Sequence, residues 1–173
     1  AIGRAVLVAS RRVDVAHYFI EAADVAVEIA RARAGRDAVV DEIRRLQESI
    51  THMGPKEAPH ELGALLDVHL MLLQDDDLTE GVKHWIRDRL YNAEWALTAQ
   101  LEVISRQFDE MEDPYLRERK ADLEQVVERI LHNMSLLMER SFASVQELNR
   151  FRKEVTASVA ATAGVAPVVR PAT

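Results

Sequence analysis

No cysteine occurs among the 173 residues, so neither a disulfide framework nor a thiolate metal site is open to this chain. Glycine is scarce, with six residues, and aromatics make up only 5%. A chain so poor in both leans towards helices. No apolar run approaches the roughly 18 residues that a membrane span needs. The first residues, AIGRAVLVASRR, lack a charged region followed by a long apolar stretch. No secretory signal is read there, and a cytoplasmic protein is the default expectation. A phosphate-cradling glycine loop and a nucleophile elbow are missing too, and no catalytic constellation stands out.

What is present fits one domain with a substantial core. Hydrophobic residues account for 48% and charged residues for 29%, an ordinary globular balance. The net charge of −7 is unevenly spread: residues 135–173 carry +2, which leaves −9 on residues 1–134. An acidic body repels nucleic acid and anionic membrane and suits a basic partner.

Residues 5–8, AVLV, read as a short strand. From about Asp14 the period becomes helical: Val15, Phe19, Ala22, Ala23, Ala26, Ile29 and Ala30 recur at three- and four-residue steps. Val39, Ile43, Leu46 and Ile50 continue the stripe. Gly35 is a candidate kink, and Gly54-Pro55 ends the run. Pro59 suits the first turn of a second helix reaching about Gln74. Asp77-Leu78-Thr79-Glu80 has the form of a capping box and predicts a third helix over 78–90. Asn92 can cap a fourth, with Trp95, Leu97, Leu101 and Ile104 on its stripe. Asp113-Pro114 marks the start of a fifth, with Leu116, Leu123, Val127, Ile130, Met134 and Leu137 facing inward. No glycine or proline lies between Tyr115 and Ala163. The pattern continues through Phe142, Val145, Leu148, Phe151, Val155 and Val159, as one long helix or as two joined near 135–141. The fold class expected is therefore all-α, an antiparallel helical bundle with one short N-terminal strand. Its parts are a strand segment (1–13), a bundle (14–134), an additional helix (135–162) and a tail (163–173).

The six histidines do not form a metal site. Glu48/His52, Glu80/His84 and Glu128/His132 each have one residue too many for the Glu-x-x-His pairs of a di-iron bundle. The Asp75–Asp77 run lacks the spaced ligands of a calcium loop. The stretch LLDVHLMLLQDDDL, residues 65–78, is more telling. At about 100° per residue, Leu62, Leu65, Leu66, His69 and Leu73 share one face, while Ala64, Asp67, Met71 and Asp75 lie opposite. His69 is expected at the core edge with its ring hydrogen-bonded. Asp77 has a capping role; Asp75 and Asp76, read as the C-terminal end of the second helix, face an unfavourable macrodipole and so invite another use.

The strings ALLDVHLMLLQDDDLTEGVKHWIRDRL and DPYLRERKADLEQVVERIL, with AIGRAVLV before them, resemble enzyme I, the phosphoenolpyruvate-protein phosphotransferase of the bacterial sugar phosphotransferase system. The resemblance covers about residues 1–134. In that family a helical subdomain docks the histidine-containing phosphocarrier HPr, which takes phosphate from an active-site histidine charged by phosphoenolpyruvate. The resemblance implies HPr as partner, with Glu61, Ala64, Asp67, Met71, Asp75, Asp77 and Arg119 as the contact residues.

The family's phosphohistidine motif, of the form G-G-x-T-S-H, is missing, as is its phosphoenolpyruvate-binding barrel. His132, in RILHNMS, has a helical context and is assigned no phosphoryl role. The continuation SLLMERSFASVQELNRFRKEV does not align with the family. The expectation is either a fragment with a rebuilt helical tail or a design that closes the bundle. These residues thus read as a binding module rather than an enzyme. No cofactor is expected in this chain, Mg2+ being implied only for the full-length family, and a homodimer through the C-terminal helix is open. The alternative is a purely structural or self-associating bundle.

Overall fold

Apolar spacing builds the bundle helix by helix. The computed structural model describes residues 15–52 and 60–163. Among these it is all-α: α1 (Val25–His52), α2 (His60–Leu73), α3 (Asp76–Arg89), α4 (Ala93–Asp109) and α5 (Pro114–Ala163), with a 3-10 turn at Ala22–Asp24 before α1. The strand expected at 5–8, the Gly54-Pro55 stop, Pro59 and the tail beyond Ala163 lie outside the described residues. So do the side chains of Leu116 and Val159. The chain divides into two compact units, residues 1–135 and 136–173.

In the first unit each helix contributes one buried stripe. Ala32, Gly35, Val39 and Ile43 recur at helical steps on α1. They share a core with Leu66, Leu72 and Leu73 of α2, Leu78, Val82 and Ile86 of α3, Ala93, Ala96, Leu97 and Ile104 of α4, and Leu123, Val126, Val127, Ile130, Leu131 and Met134 of α5. Proline at the first position of α5 has its fixed φ suited to the helix and lacks only an amide that would be unsatisfied there anyway.

The first helix starts at Val25, not near Asp14. Residues 15–20 run extended, with Phe19 bridged to Tyr91. Asn92 imposes this: its side-chain amide donates to the Ala16 carbonyl at 3.0 Å and accepts from the Tyr18 amide at 3.3 Å. Its backbone N–H donates to the Tyr18 carbonyl at 3.1 Å. A contact some 75 residues away in sequence thus overrides the local helical period. Ala22, Ala23, Ala26, Ala30 and Leu46, expected on the buried stripe, are exposed. Glu28 is buried in their stead: its carboxylate accepts the Ala93 amide at 2.8 Å, capping α4, and pairs with Arg31, which also pairs with Glu94. Burial opposes the Arg31 charge, but the two carboxylates outweigh it and raise its pKa above the ordinary value. Asn92, at the N-cap of α4, makes no side-chain cap bond and serves the extended segment instead.

Gly35 does not kink α1, which is one helix from 25 to 52. It is a crossing point. A Cβ there would collide with Met134 Cγ and stand 3.2 Å from the Ile130 carbonyl oxygen, so α5 approaches as closely as a bare backbone allows. Leu90 closes α3 in the left-handed region, at φ 55°, with its amide bonded to the Trp85 carbonyl.

The second unit is helical through Ala163, and α5 is a single run rather than two helices joined near 135–141. Met138, Phe142, Val145, Leu148, Phe151 and Val155 are all exposed within it.

Candidate functional site

The outer face of α2 follows from what its inner face does. Leu66, His69, Leu72 and Leu73 turn into the core, and a helix that buries these positions must present Ala64, Asp67 and Met71 to solvent. All three are exposed, Met71 to 58%, and Glu61 is exposed in the first turn. Asp67 is held in place: its Oδ1 accepts from Gln47 Nε2 of α1 at 2.7 Å.

Leu62 and Leu65 were expected on the buried face and are 40% exposed. The angular wheel places them acceptably but ignores position along the axis. The described side chains before Leu66 stay out of the core, so α2 engages the bundle only over its C-terminal half. These two leucines are thus exposed at the N-terminal end of the inward stripe, across the helix from Met71, and only axial position could have revealed them.

The acids after α2 are organised differently from the expectation. Asp75, not Asp77, caps α3: its carboxylate accepts the Asp77 amide at 2.8 Å, and its carbonyl accepts the Thr79 amide at 3.0 Å. The helix begins at Asp76, two residues before the start that the capping-box reading gave. Asp75 thus sits at the favourable end of a macrodipole, not at the unfavourable C-terminal end of α2 expected for it. Asp76 and Asp77 occupy the first turn of α3, where negative charge is also favoured. Asp75 and Asp77 line a cavity of about 210 Å³ floored by Leu72, Leu78, Ile104 and Leu123, with Met111 at its side.

His69 lies behind this surface, 3% exposed, and neither ring nitrogen has a hydrogen-bond partner. The ring hydrogen bond expected for it is absent. Its Nε2 stands 3.9 Å from Asp122 Oδ1 on α5. Burial pushes its pKa below the usual imidazole value; Asp122 works in the opposite sense and Arg129 adds to the lowering. The ring is therefore neutral near neutral pH. The contact also locates Arg119, half-buried and three residues before Asp122 on the same helix face, on the side of α5 that meets α2.

No cluster of three metal-ligating side chains occurs among the described residues, and no helix among them is long and apolar enough to cross a membrane.

Residues 1–119 match the family model of the PEP-utilising enzyme, N-terminal. A phosphoenolpyruvate-protein phosphotransferase of Cupriavidus necator is 53% identical over 131 residues, which are 76% of this chain and 22% of that protein. One of Streptococcus equinus is 32% identical over 122 residues, 70% of this chain and 20% of its own length. Among solved structures, an NMR solution structure of an Enzyme I protein superposes with a TM-score of 0.63 at 32% identity, covering 71% of this chain and 48% of that one. The N-terminal domain of Enzyme 1 – Nitrogen superposes at 0.61 and 27% identity, covering 70% and 48%. The chain spans about a fifth of the length of the curated relatives it matches. The helices, their order and the matched residues together place this chain in the family of the N-terminal region of PEP-utilising enzymes.

Proposed function

We propose that this chain is the HPr-docking platform of an enzyme I-type phosphotransferase acting in the cytoplasm. The observation that carries the reading is a methionine 58% exposed on a helix whose opposite face is buried from Leu66 to Leu73, with carboxylates on its own side. Glu61, Asp67, Asp75 and Asp77 steer a basic partner, Ala64 leaves room for close approach, and Met71 supplies an adaptable apolar contact. Arg119 of α5 is the remaining contact that the family resemblance implies. In the family the whole protein moves phosphate from phosphoenolpyruvate to HPr. No G-G-x-T-S-H motif occurs in these 173 residues, so their part is recognition, not phosphoryl transfer.

The test is a titration with HPr at two salt concentrations. Asp67→Lys should slow association at low salt, with the difference shrinking as salt rises. Met71→Ala should weaken binding at both. Unchanged affinity in both variants would defeat the reading.

A second reading concerns residues 136–163, where six large apolar side chains are 45–67% exposed within their own unit. A helix with so much uncovered apolar surface is poorly stable alone in water, and a second copy of the chain would cover it. Sedimentation of the intact chain tests this. A monomer at all concentrations would reject the homodimer.

A further inference from the structure

Between α1 and α3 lies a crevice of about 120 Å³ that the docking reading does not use. Its floor is apolar and belongs to the core: Leu78, Val82, Ile86, Leu97 and Ile130 are all between 0 and 5% exposed. Its rim is cationic, with Arg33 and Arg36 from α1 and Lys83 from α3. Two of these cations have carboxylate partners near in sequence, Arg36 with Asp37 and Lys83 with Glu80. Those carboxylates are 53% and 60% exposed and line the adjoining depression but not the crevice, whereas the cations, 29% and 33% exposed, line both. Arg33 has no ion pair among the described residues and lines the same mouth. With Arg36 and Lys83 paired, Arg33 is the cation of this rim whose charge is left for a ligand.

We propose that this crevice binds a small amphipathic anion, with its apolar body among Val82, Ile86 and Leu97 and its anionic head on Arg33. The size sets the limit. An enclosed apolar cavity of roughly 150 Å³ takes up benzene, so this smaller crevice, open to solvent on one side, takes a ring or a chain of a few carbons only with its head left outside. The chemistry fits as well: the floor offers a charged head no partner, so the head must remain at the rim, where guanidinium groups bind carboxylates in a planar, two-point manner. The site is remote in kind from the acidic face of α2. Its ligand is anionic, whereas the partner of that face is basic.

The experiment is an NMR titration of the full chain with benzoate and, separately, with benzyl alcohol, the same body without the charge. Benzoate should produce saturable shifts at Val82, Ile86 and Leu97, and benzyl alcohol should bind several-fold more weakly. Arg33→Gln, an exposed position outside the docking face, should bring benzoate down to the level of benzyl alcohol. Val82→Phe should abolish binding of both, with a thermal melt to confirm that the variant is folded. Equal affinity for the two probes, benzoate binding unaffected by Arg33→Gln, or no saturable shift at the three floor residues would each overturn the proposal.

Discussion

The two faces of α2 are made of similar residues and do opposite things. Inward, Leu66, Leu72 and Leu73 are no more than 8% exposed; outward, Met71 is 58% exposed, and Leu62 and Leu65, at the N-terminal end of the inward stripe, are 40% exposed. Leucine is both buried and exposed on this helix, so hydrophobicity alone does not decide which positions are core. What decides is position along the axis as well as angle: the described side chains before Leu66 stay out of the core. α2 holds its own bundle with one face and leaves the other, with Met71 among acids, exposed.

The largest effect that sharpens this contrast comes from the inner face. Leu73→Ala should cost about 2–5 kcal/mol, since Leu73 is fully buried and the cavity left cannot collapse freely. Urea denaturation measures it, and HPr binding should be lost only as the fold fails. At the junction, Asp75→Lys should cost about 1–2 kcal/mol, because it removes the α3 cap and puts a cation at a helix N-terminus. A stability unchanged by this variant would remove Asp75 from the cap. Its effect on docking is thereby mixed with an effect on folding, which is why Asp67 is the better steering probe.

Acid tests the inner face in another way. The folded pKa of His69 lies below the unfolded value near 6.5, so the unfolded chain binds the proton more readily. Stability from this residue is complete above that pH and declines as pH falls towards the lowered folded value. His69→Phe should flatten this part of the pH–stability profile; an unchanged slope would show that the ring does not carry it. The smallest effect belongs to the outer face. Met71→Ala should shift the unfolding midpoint by no more than the equivalent of about 0.5 kcal/mol. If it destabilised as Leu73→Ala does, the faces would be reversed.

Much of this architecture is legible in the sequence because local rules and tertiary packing agree. Asp113-Pro114 marks the start of α5, and the Leu123, Val127, Ile130, Met134 stripe is buried as its spacing requires. Where they disagree, the sequence misleads. Consecutive aspartates at 75–77 are interchangeable as caps on paper, and the choice depends on where α2 unwinds, which no local pattern encodes. Residues 15–20 follow a helical period but are drawn out by Asn92, far away in the chain. The outward set Ala64, Asp67 and Met71 is readable from angle alone, whereas the exposure of Leu62 and Leu65 depends on their position along the axis, ahead of the first described buried residue of α2, Leu66.

The central claim is that the outer face of α2 receives HPr, and amide chemical-shift mapping of the intact chain during an HPr titration tests it most directly. The account predicts saturable shifts concentrated at Glu61, Ala64, Asp67, Met71, Asp75 and Asp77, extending to Arg119. No shift on adding HPr, or shifts confined to α4 or to residues 136–163, would contradict it.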